Sequence, residues 1–597
     1  MLKKFLEQAR KDEPVYITDV REALNREGCF PFHLRITLYD DSMRCFPMML
    51  PEMSDAEEKA FVRSYLYATV YNLLSSLGGK KIEIFTDPAN ANLLELAHSL
   101  PEVFQSDVPK TQRSGYGKCM NVNDRVLAAL FGSSGKFAFA VCDAAQWKED
   151  GQDRCTDVSG HEASGGSIFA SLPEKALGRM LLGIDVGGTD IKLTAAAGGR
   201  LAVCKEYDWN PAGFSLVSQM IDPILLLVRL MRCAACLYAA GKEELIDRDA
   251  LLKDATTEQM EEGIRRMEAA LGPDMKNFDA IGLSFPDVVI RNRIVGGECH
   301  KFKGMRDNPQ LDFEQQFAKV SGLNELLHRY VTEDGAVMST NDGPMAAFTS
   351  AVELAAAGED VSKGFFAHTL GTELGTGWVQ ADGSIPEIPL EVYNFIIDLG
   401  SFTQKGFASP DVRSINNINT QLPGTLQKYT CQSGVFRLAA KYLPEQDPQV
   451  FEEALEKGLL VRTQDNGLEV PTAPKDMRKS ALEFFMKKAA EGTHPACAQI
   501  FREIGEYLAV TWQETQYILD PPAQERSLYG RLVKVPECFT LMKEGANRRV
   551  PELKLYAADS SLAFTGYMKE LDAHPDYTVA QFAQAVGAIY FGCLGLR

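Results

Sequence analysis

An α/β fold with more than one domain is predicted by three features of the sequence. Short apolar runs that end in Gly, Asp or Pro recur from the middle of the chain onward, as in "MLLGIDVGG" (Met180–Gly188) and "DAIGLSFPDVV" (Asp279–Val289). Helix-like stretches separate these runs, which is typical of a sheet covered by helices on both faces. Glycines and acids follow the runs directly, where ligands bind in such sheets. Because 597 residues exceed one ordinary core, we expect roughly two to four domains.

The composition favours a cytoplasmic, globular protein. The chain has a net charge of −19, with 45% hydrophobic and 24% charged residues. Nucleic acid is not expected as a partner, because its phosphate backbone requires a basic face, whereas a small anionic ligand needs only a local site. The first residues lack the apolar segment of a signal peptide. The most apolar long stretch, Ile221–Ala240, contains Asp and Arg residues, so we expect a buried helix and no membrane partner.

The thirteen cysteines show no disulfide framework, which favours a reducing compartment. Cys233 and Cys236 form a C-x-x-C pair inside the apolar Ile221–Ala240 stretch, with no second pair nearby. We therefore predict that both cysteines pack in a core.

Residues 1–176 are predicted to form an N-terminal α/β or α+β domain, because strand-like and helix-like segments alternate there. The predicted strands are Phe32–Asp41, Met43–Leu50, Lys80–Asp87 and Lys136–Asp143, and the predicted helices are Ser54–Leu77, Pro88–Ser99 and Asn123–Phe131. A Gly/Ser-rich stretch, Ser159–Ser167, predicts a linker or a mobile loop. No chemical motif indicates the role of this domain. Toward the other end, the predicted helices are Ala481–Glu491, Pro495–Leu519 and Val579–Leu594.

Two glycine-bearing loops are candidates for binding phosphate. In "GIDVGGTD" (Gly183–Asp190), the glycines let backbone N–H groups approach an anion. Thr189 adds a hydroxyl, and Asp185 could hold magnesium directly or through water. A second loop, "HTLGTELGTGW" (His368–Trp378), follows another apolar run. Two such loops would suit one polyphosphate held from two sides, whereas the alternative is a pair of ordinary glycine turns.

A third motif, "STNDGP" (Ser339–Pro344), lies between the two loops. An Asp at a strand end can accept a proton from an alcohol, while the preceding Asn holds another hydroxyl. Phosphoryl transfer to an alcohol requires such a carboxylate together with magnesium and loop N–H groups. The alternative is an ordinary Asn-Asp-Gly turn.

Taken in order, these motifs resemble the sugar-kinase branch of the actin-like ATPase superfamily, and more narrowly the ROK glucokinases and the hexokinases. Further matching segments are "IGLSFPD" (Ile281–Asp287), "HKFKGM" (His300–Met305), "YILDPPAQERSLYGRLVK" (Tyr517–Lys534) and "QAVGAIYFG" (Gln584–Gly592). The resemblance implies two actin-like (ribonuclease H-like) ATPase subdomains, residues 177–345 and 346–597, with an interdomain cleft. The N-terminal domain has no counterpart in either family.

The resemblance also implies the reaction and its residues. The expected function is ATP-dependent phosphorylation of a sugar hydroxyl, most simply of a hexose as in the glucokinases and hexokinases, with Mg²⁺ as metal and Asp342 as catalytic base. The implied ATP-binding residues are Asp185, Gly187, Gly188, Thr189, Lys192, Gly371, Thr372, Gly375, Thr376, Gly377, Gly530 and Gly587, with Asp185 also holding Mg²⁺. The implied sugar-binding residues are Ser284, Phe285, Lys303, Asn341, Glu387, Glu391 and Asp398. Which of the last three acids contacts the sugar is left open, and Lys303 could face the sugar, the transferred phosphate or solvent.

One departure and one alternative function accompany the resemblance. The Cys/His zinc cluster of typical ROK proteins is missing, since Cys299 and His300 have no cysteine run beside them. The alternative is a non-catalytic sugar- or nucleotide-sensing regulator on the same fold. Asp342 favours catalysis, because a sensor needs no base. We expect a monomer or a homodimer.

Overall fold

A computed structural model describes residues 1–150, 168–297, 299–408, 410–474, 476–557 and 562–597. It contains two compact units, each made of separate parts of the chain. Unit 1 comprises Met1–Gly160, His368–Thr376 and Ile388–Asp559, and unit 2 comprises His161–Ala367, Gly377–Glu387 and Ser560–Arg597. Both contain sheets and helices, so the predicted α/β class is confirmed.

The strands are β1 (Phe30–Thr37), β2 (Met43–Phe46), β3 (Met49–Leu50), β4 (Lys81–Thr86), β5 (Ala138–Asp143), β6 (Leu181–Val186), β7 (Asp190–Ala197), β8 (Arg200–Asp208), β9 (Phe278–Phe285), β10 (Val289–Ile290), β11 (Arg293–Ile294), β12 (Val331–Asn341), β13 (Phe365–Leu370), β14 (Leu374–Val379), β15 (Val461–Arg462), β16 (Leu468–Glu469), β17 (Arg526–Tyr529) and β18 (Leu555–Ala557). The α-helices are α1 (Leu2–Arg10), α2 (Ile17–Glu27), α3 (Ala56–Ser76), α4 (Ala91–Val103), α5 (Cys119–Phe131), α6 (Ala144–Asp150), α7 (Ile168–Lys175), α8 (Ser218–Ala239), α9 (Thr257–Leu271), α10 (Lys303–Arg306), α11 (Phe313–Ser321), α12 (Leu323–Leu327), α13 (Asp342–Ala356), α14 (Phe402–Lys405), α15 (Cys431–Gln446), α16 (Pro448–Glu456), α17 (Met477–Ala490), α18 (Pro495–Ile518), α19 (Pro536–Arg549), α20 (Gly566–Asp572) and α21 (Val579–Leu594).

The central sheet of unit 2 has the strand order β12-β9-β6-β7-β8. The strands β6, β9 and β12 run parallel, whereas β7 is antiparallel to both β6 and β8. The antiparallel strands β6, β7 and β8 form a meander, and the parallel strands β9 and β12 continue the sheet on the other side of β6. This is the ribonuclease H-like arrangement that the resemblance implies. The carboxyl ends of the three parallel strands therefore lie along one edge, which is the usual position of a ligand site in such a sheet.

Helices cover both faces of this sheet. On one face, α8 packs on β7 and β8 through buried apolar residues such as Ile224 and Met231. On the other face, the helix α21 lies against β6 and β9 at unusually close range. A β-carbon on Gly183 would lie 1.8 Å from the Ala585 carbonyl oxygen, and one on Gly282 would lie 1.7 Å from that of Ala588. Only glycine allows this approach.

In unit 1, the N-terminal strands form a sheet in the order β2-β1-β4-β5, with β3 also paired to β1. Buried polar contacts join this segment to the later part of the unit. The Arg21 guanidinium forms an ion pair at 2.6 Å with Glu514 on α18, and both side chains are buried. The Asn72 amide donates to Glu514 Oε1 at 2.9 Å. The N-terminal strands and helices therefore belong to the same unit as residues 388–559 and are joined to them by polar contacts.

The same N-terminal segment also holds the stretch around Asp398. Asn72 pairs with the backbone of Ile396 in both directions, at 2.8 and 3.1 Å. The backbone N–H of Val15 donates to Asp398 Oδ1 at 2.8 Å, and Leu399 N–H donates to the Val15 carbonyl at 2.8 Å. These bonds fix a stretch that has little regular structure of its own.

Several sequence expectations can be compared directly with this architecture. The two units divide the chain differently from the three predicted domains, which stay predictions, and the predicted linker Ser159–Ser167 lies outside the described residues. Cys233 and Cys236 are free and buried, which confirms the packing prediction. Cys45 is disulfide-bonded, so the expectation of a chain without disulfides does not hold there. Within the described ranges, no helix is both long and apolar enough to cross a membrane.

Candidate functional site

A row of polar residues crosses the carboxyl edge of the unit 2 sheet. Thr340 of β12 lies opposite Ser284 of β9, Ser284 lies opposite Asp185 of β6, and Asp185 lies opposite Lys192 of β7. The strand pairing alone therefore brings together Asp185, Ser284 and Lys192, which the motifs predict as site residues far apart in sequence.

Asp185 is the electrostatic centre of this row. Its pKa is raised to about 6, and burial is the largest cause; the carboxylates of Asp342 and Asp190 also raise this pKa, while a hydrogen bond from Ser284 and the Lys192 ammonium lower it. Asp185 is therefore close enough to Asp342 to interact electrostatically. It is mostly ionised at neutral pH, and its hard carboxylate oxygens are the ligands that Mg²⁺ prefers.

Asp342 is placed by the start of α13. Asn341 is the N-cap residue, and its Oδ1 accepts the Gly343 N–H at 3.0 Å. The Asn341 side-chain nitrogen donates to the Asp287 carbonyl at 2.9 Å. Asp342 Oδ1 also accepts the Gly343 N–H, at 2.9 Å. No described residue donates a hydrogen bond to Asp342 Oδ2. The Asn341 side chain thus helps to hold the start of α13, and its predicted contact with a sugar hydroxyl stays a prediction.

The first glycine loop is the turn between β6 and β7. Gly187 N–H donates to the Asp190 carbonyl at 2.8 Å, and the Trp209 indole donates to the Gly187 carbonyl at 3.0 Å. At the tip, Gly188 and Thr189 are exposed. Within the described part of the chain, no group accepts a hydrogen bond from either of their backbone N–H groups. These two donors at the sheet edge are suited to an anion.

A lysine that the motifs do not predict lies beside this turn. Lys301 Cε is 3.3 Å from the position that a β-carbon on Gly188 would occupy. Lys301 is half-buried, and no acid or acceptor in the described ranges pairs with its ammonium. The predicted Lys303, by contrast, forms an ion pair at 2.9 Å with Asp307 and is 56% exposed. The sequence spacing does not show which of the two lysines lies at the Gly188 turn. That depends on how the chain around Lys301 packs against the turn in the folded protein.

The second glycine loop is the turn between β13 and β14, in unit 1. Gly371 and Thr372 form the turn together with Glu373. Gly371 N–H donates to the Glu373 carbonyl at 3.3 Å, and the Gly371 carbonyl accepts the Gln432 N–H at 3.2 Å. Thr372 is exposed. Burial of the carboxyl group raises the pKa of Glu373 to about 7, although the residue as a whole is exposed. A hydrogen bond from Gln427 and the charge of Arg478 lower this pKa.

The two Gly-Thr pairs of this motif lie in different environments, the first in the turn and the second in a strand. Gly375, Thr376 and Gly377 lie within β14, not in the turn. The buried Thr376 hydroxyl pairs with His368 Nδ1 at 3.1 Å, and burial lowers the pKa of His368 to about 3, so the ring is neutral. In unit 2, a β-carbon on Gly377 would lie 2.1 Å from the Gly343 carbonyl oxygen. This close contact supports the start of α13, which carries Asp342.

Four further predicted residues make close contacts within the protein. Gly530 follows β17 with φ +97°, and a β-carbon there would lie 2.4 Å from the Leu370 carbonyl oxygen beside the second loop. Gly587 packs against Thr349 between α21 and α13. Phe285 is buried and stacks on Phe302. Ser284 is buried and pairs with Gln584 of α21 at 3.4 Å.

The three acids proposed for the sugar differ in their partners. In unit 2, Glu387 is half-exposed and forms a two-pronged ion pair with Arg291 at 2.8 Å. In unit 1, Glu391 accepts from the Asn394 amide at 3.3 Å. Asp398 is 1% exposed and accepts from Val15, Gly400, Ser401 and Tyr429. With four donors on its oxygens, Asp398 acts as a structural acceptor.

Comparisons with known proteins show distant structural similarity. No family model and no curated protein matches the sequence. Solved structures that match include a ROK family glucokinase from Streptomyces griseus in complex with glucose and AMPPNP (16% identity, 69% of this chain and 98% of that chain, TM-score 0.36). Others are a ROK hexokinase from Thermus thermophilus (14%, 70% and 100%, 0.38) and a hexokinase from Schistosoma mansoni complexed with glucose (11%, 84% and 99%, 0.36). At this distance the similarity does not establish an activity.

Proposed function

We propose that the protein is an ATP-dependent kinase that phosphorylates a sugar hydroxyl, with a hexose as the expected substrate. The observation that carries the proposal is the gathering of Asp185, Ser284 and Asp342 at one sheet edge. The Gly188–Thr189 turn and Lys301 lie at this same edge. Carboxylates beside N–H donors and a cation that have no partner among the described residues suit the transfer of a phosphate to an alcohol.

Asp342 is the proposed general base. Its Oδ2 would accept the proton of the attacking hydroxyl, while Oδ1 stays bonded to Gly343 N–H and keeps the carboxylate oriented. Attack of the alcohol oxygen on the γ-phosphorus forms the new P–O bond, and the bond to ADP breaks on the opposite side. The N–H groups of Gly188 and Thr189 and the Lys301 ammonium would stabilise the charge on the phosphate oxygens.

Asp185 would hold Mg²⁺, which when bound neutralises phosphate charge and orients the reacting group. The chemistry of the site fits this role, because Asp185 is an oxygen donor next to a second acid, Asp190. In unit 1, Gly371 and Thr372 offer a further turn suited to phosphate, and Gly530 borders it.

An ADP-release assay over a panel of hexoses tests the proposal. We expect sugar-dependent turnover in the native protein and a loss of about a thousandfold or more in kcat for Asp342→Asn, since the base is removed. The matched control is Glu359→Gln, which changes an exposed acid of the same unit and should behave as the native protein. Binding of sugar or nucleotide with no turnover on any sugar would instead identify a sensor.

A further inference from the structure

Trp209 contacts the first glycine turn at two points. Its indole N–H donates to the Gly187 carbonyl at 3.0 Å, and its backbone N–H donates to the Thr189 carbonyl at 3.0 Å. The residue follows directly after β8, whose neighbour in the sheet is β7. The two bonds therefore hold the chain on both sides of Gly188, the exposed glycine at the tip of the turn.

The indole bond sets the direction of the Gly188 N–H group. The Gly187 carbonyl and the Gly188 N–H belong to one planar trans peptide group, so they point in opposite directions. Because the carbonyl is directed at the Trp209 indole, the N–H is directed away from it. The glycine backbone rotates more freely than that of any other residue, so this peptide group would turn more readily without the bond. The indole thus keeps a hydrogen-bond donor presented at an exposed position.

The Trp209 side chain is itself held in place. It is half-buried, and its ring packs edge-on against the Phe214 ring, with the centroids 5.7 Å apart. The backbone of Phe214 lies in turn against Gly304, where a β-carbon would be 2.5 Å from the Phe214 carbonyl oxygen. Gly304 follows Lys301 closely in sequence. The loop after β8 therefore contacts both the glycine turn and the segment that carries the lysine beside it.

We propose that Trp209 is a positioning residue for phosphate binding at the first glycine turn. It would not touch the phosphate, but it orients the Gly188 N–H so that this donor meets an anionic oxygen without rearrangement. A donor that is already oriented loses less conformational entropy when the anion binds. The inference rests on the proposed function, since the phosphate would be that of ATP. Trp209 lies outside both glycine motifs and the Asn-Asp-Gly motif.

Trp209→Phe tests the inference, because it removes the indole N–H and keeps an aromatic ring against Phe214. Titration calorimetry of the full-length protein measures the binding of two probes, the Mg²⁺ complex of AMPPNP and free tripolyphosphate. We expect Trp209→Phe to weaken the binding of both by about fivefold or more, through the loss of one hydrogen bond.

Trp512→Phe is the matched control. The Trp512 indole also donates to a backbone carbonyl, that of Gln524 at 2.7 Å, but this bond lies in unit 1 and outside both glycine turns. The control removes the same kind of bond and the same ring atoms. It should leave the affinity for both probes within about twofold of the native value.

NMR of the native protein supplies a second measurement. With the indole nitrogens isotopically labelled, each of the four tryptophans gives one N–H signal. The Trp209 signal is the one missing from Trp209→Phe, and if that variant does not fold, single substitutions of the other tryptophans identify it. We expect saturating AMPPNP to move this signal to higher frequency, because a bond from the Gly188 N–H to phosphate makes the Gly187 carbonyl a stronger acceptor. A role in packing alone would leave the signal in place.

The outcomes separate this inference from the proposed function. If the native protein binds the probes and Trp209→Phe binds them equally well, the inference is overturned and the kinase proposal stands. If Trp209→Phe weakens the binding but the native protein turns over ATP with no sugar, the proposed function is overturned and the role of Trp209 stands. If neither probe binds to the native protein, or if the Trp209 signal does not move at saturation, the inference is overturned.

Discussion

The side-chain amide of Asn341 donates a hydrogen bond of 2.9 Å to the backbone carbonyl of Asp287. This bond ties the start of α13 to the loop that follows β9. Asn341→Ala would remove both this bond and the helix cap, which costs about 1 kcal/mol of stability. Asp342 would then be less well held. We expect kcat to fall by about ten- to a hundredfold with little change in KM for ATP, measured in the ADP-release assay. A change in KM for ATP of about ten- to a hundredfold with kcat unchanged would contradict a positioning role for Asn341.

Lys301 and Lys303 form a natural pair for comparison. Lys301→Met should weaken binding of a non-hydrolysable ATP analogue by about ten- to a hundredfold, because a charge-assisted contact to phosphate is lost. Lys303→Met should have an effect of no more than about twofold, since Lys303 is exposed and pairs with Asp307. Titration calorimetry measures both. Equal effects of the two variants would show that Lys301 does not contact the phosphate.

The raised pKa of Asp185 predicts a pH dependence of stability. Because the folded-state pKa is about 6 and the unfolded value is about 3.9, the folded state binds more protons between these values. The free energy of unfolding should therefore fall as pH rises from 4 to 6 and stay lowered above that. Asp185→Asn should remove this contribution and raise stability at pH 8 by about 1–3 kcal/mol, while weakening Mg²⁺-dependent nucleotide binding. Urea denaturation at several pH values checks the sign.

Gly282 tests the close approach of α21 to the sheet. Gly282→Ala places a β-carbon 1.7 Å from the Ala588 carbonyl oxygen, so α21 must shift. We expect a loss of about 3 kcal/mol or more, or failure to fold. Gly566→Ala is the control, because no atom lies within 4 Å of its β-carbon position. Chemical denaturation compares the two variants.

The buried ion pair of Arg21 and Glu514 tests whether the N-terminal segment is an integral part of unit 1. Glu514→Ala leaves a buried guanidinium unpaired and should destabilise the unit by about 3–5 kcal/mol. The double variant Arg21→Met with Glu514→Leu should recover most of this loss, since it removes both charges and fills the volume. Thermal unfolding measures each variant. Single-variant stability equal to that of the native protein would show that the two segments are not coupled.

Much of the fold could be predicted from local patterns. The predicted helix Val579–Leu594 matches α21 in both bounds, and Ile221–Ala240 matches α8 within a few residues. Strand ends carrying Asp185, Ser284 and Asn341 were also predictable, because each apolar run ends in a polar residue. Parallel pairing then brings these ends together without further information.

Other features depend on contacts between distant parts of the chain. The role of Lys301 depends on a crossing at Gly188, and the burial of Thr376 depends on pairing with His368. The Asn341 amide is used by Asp287, which no motif indicates. Likewise, no local signal in residues 1–160 shows that Arg21 meets Glu514. Local composition carries no information about such long-range partners.

The packing of α21 on β6 has a consequence for biosynthesis. The strand with Asp185 is translated almost four hundred residues before the helix that covers it. Until α21 has left the ribosome, the faces of β6 and β9 that carry Gly183 and Gly282 lack the helix that covers them. Unit 2 can acquire its final structure only after synthesis of α21, and an interrupted chain would leave the sheet edge that carries Asp185 without its covering helix.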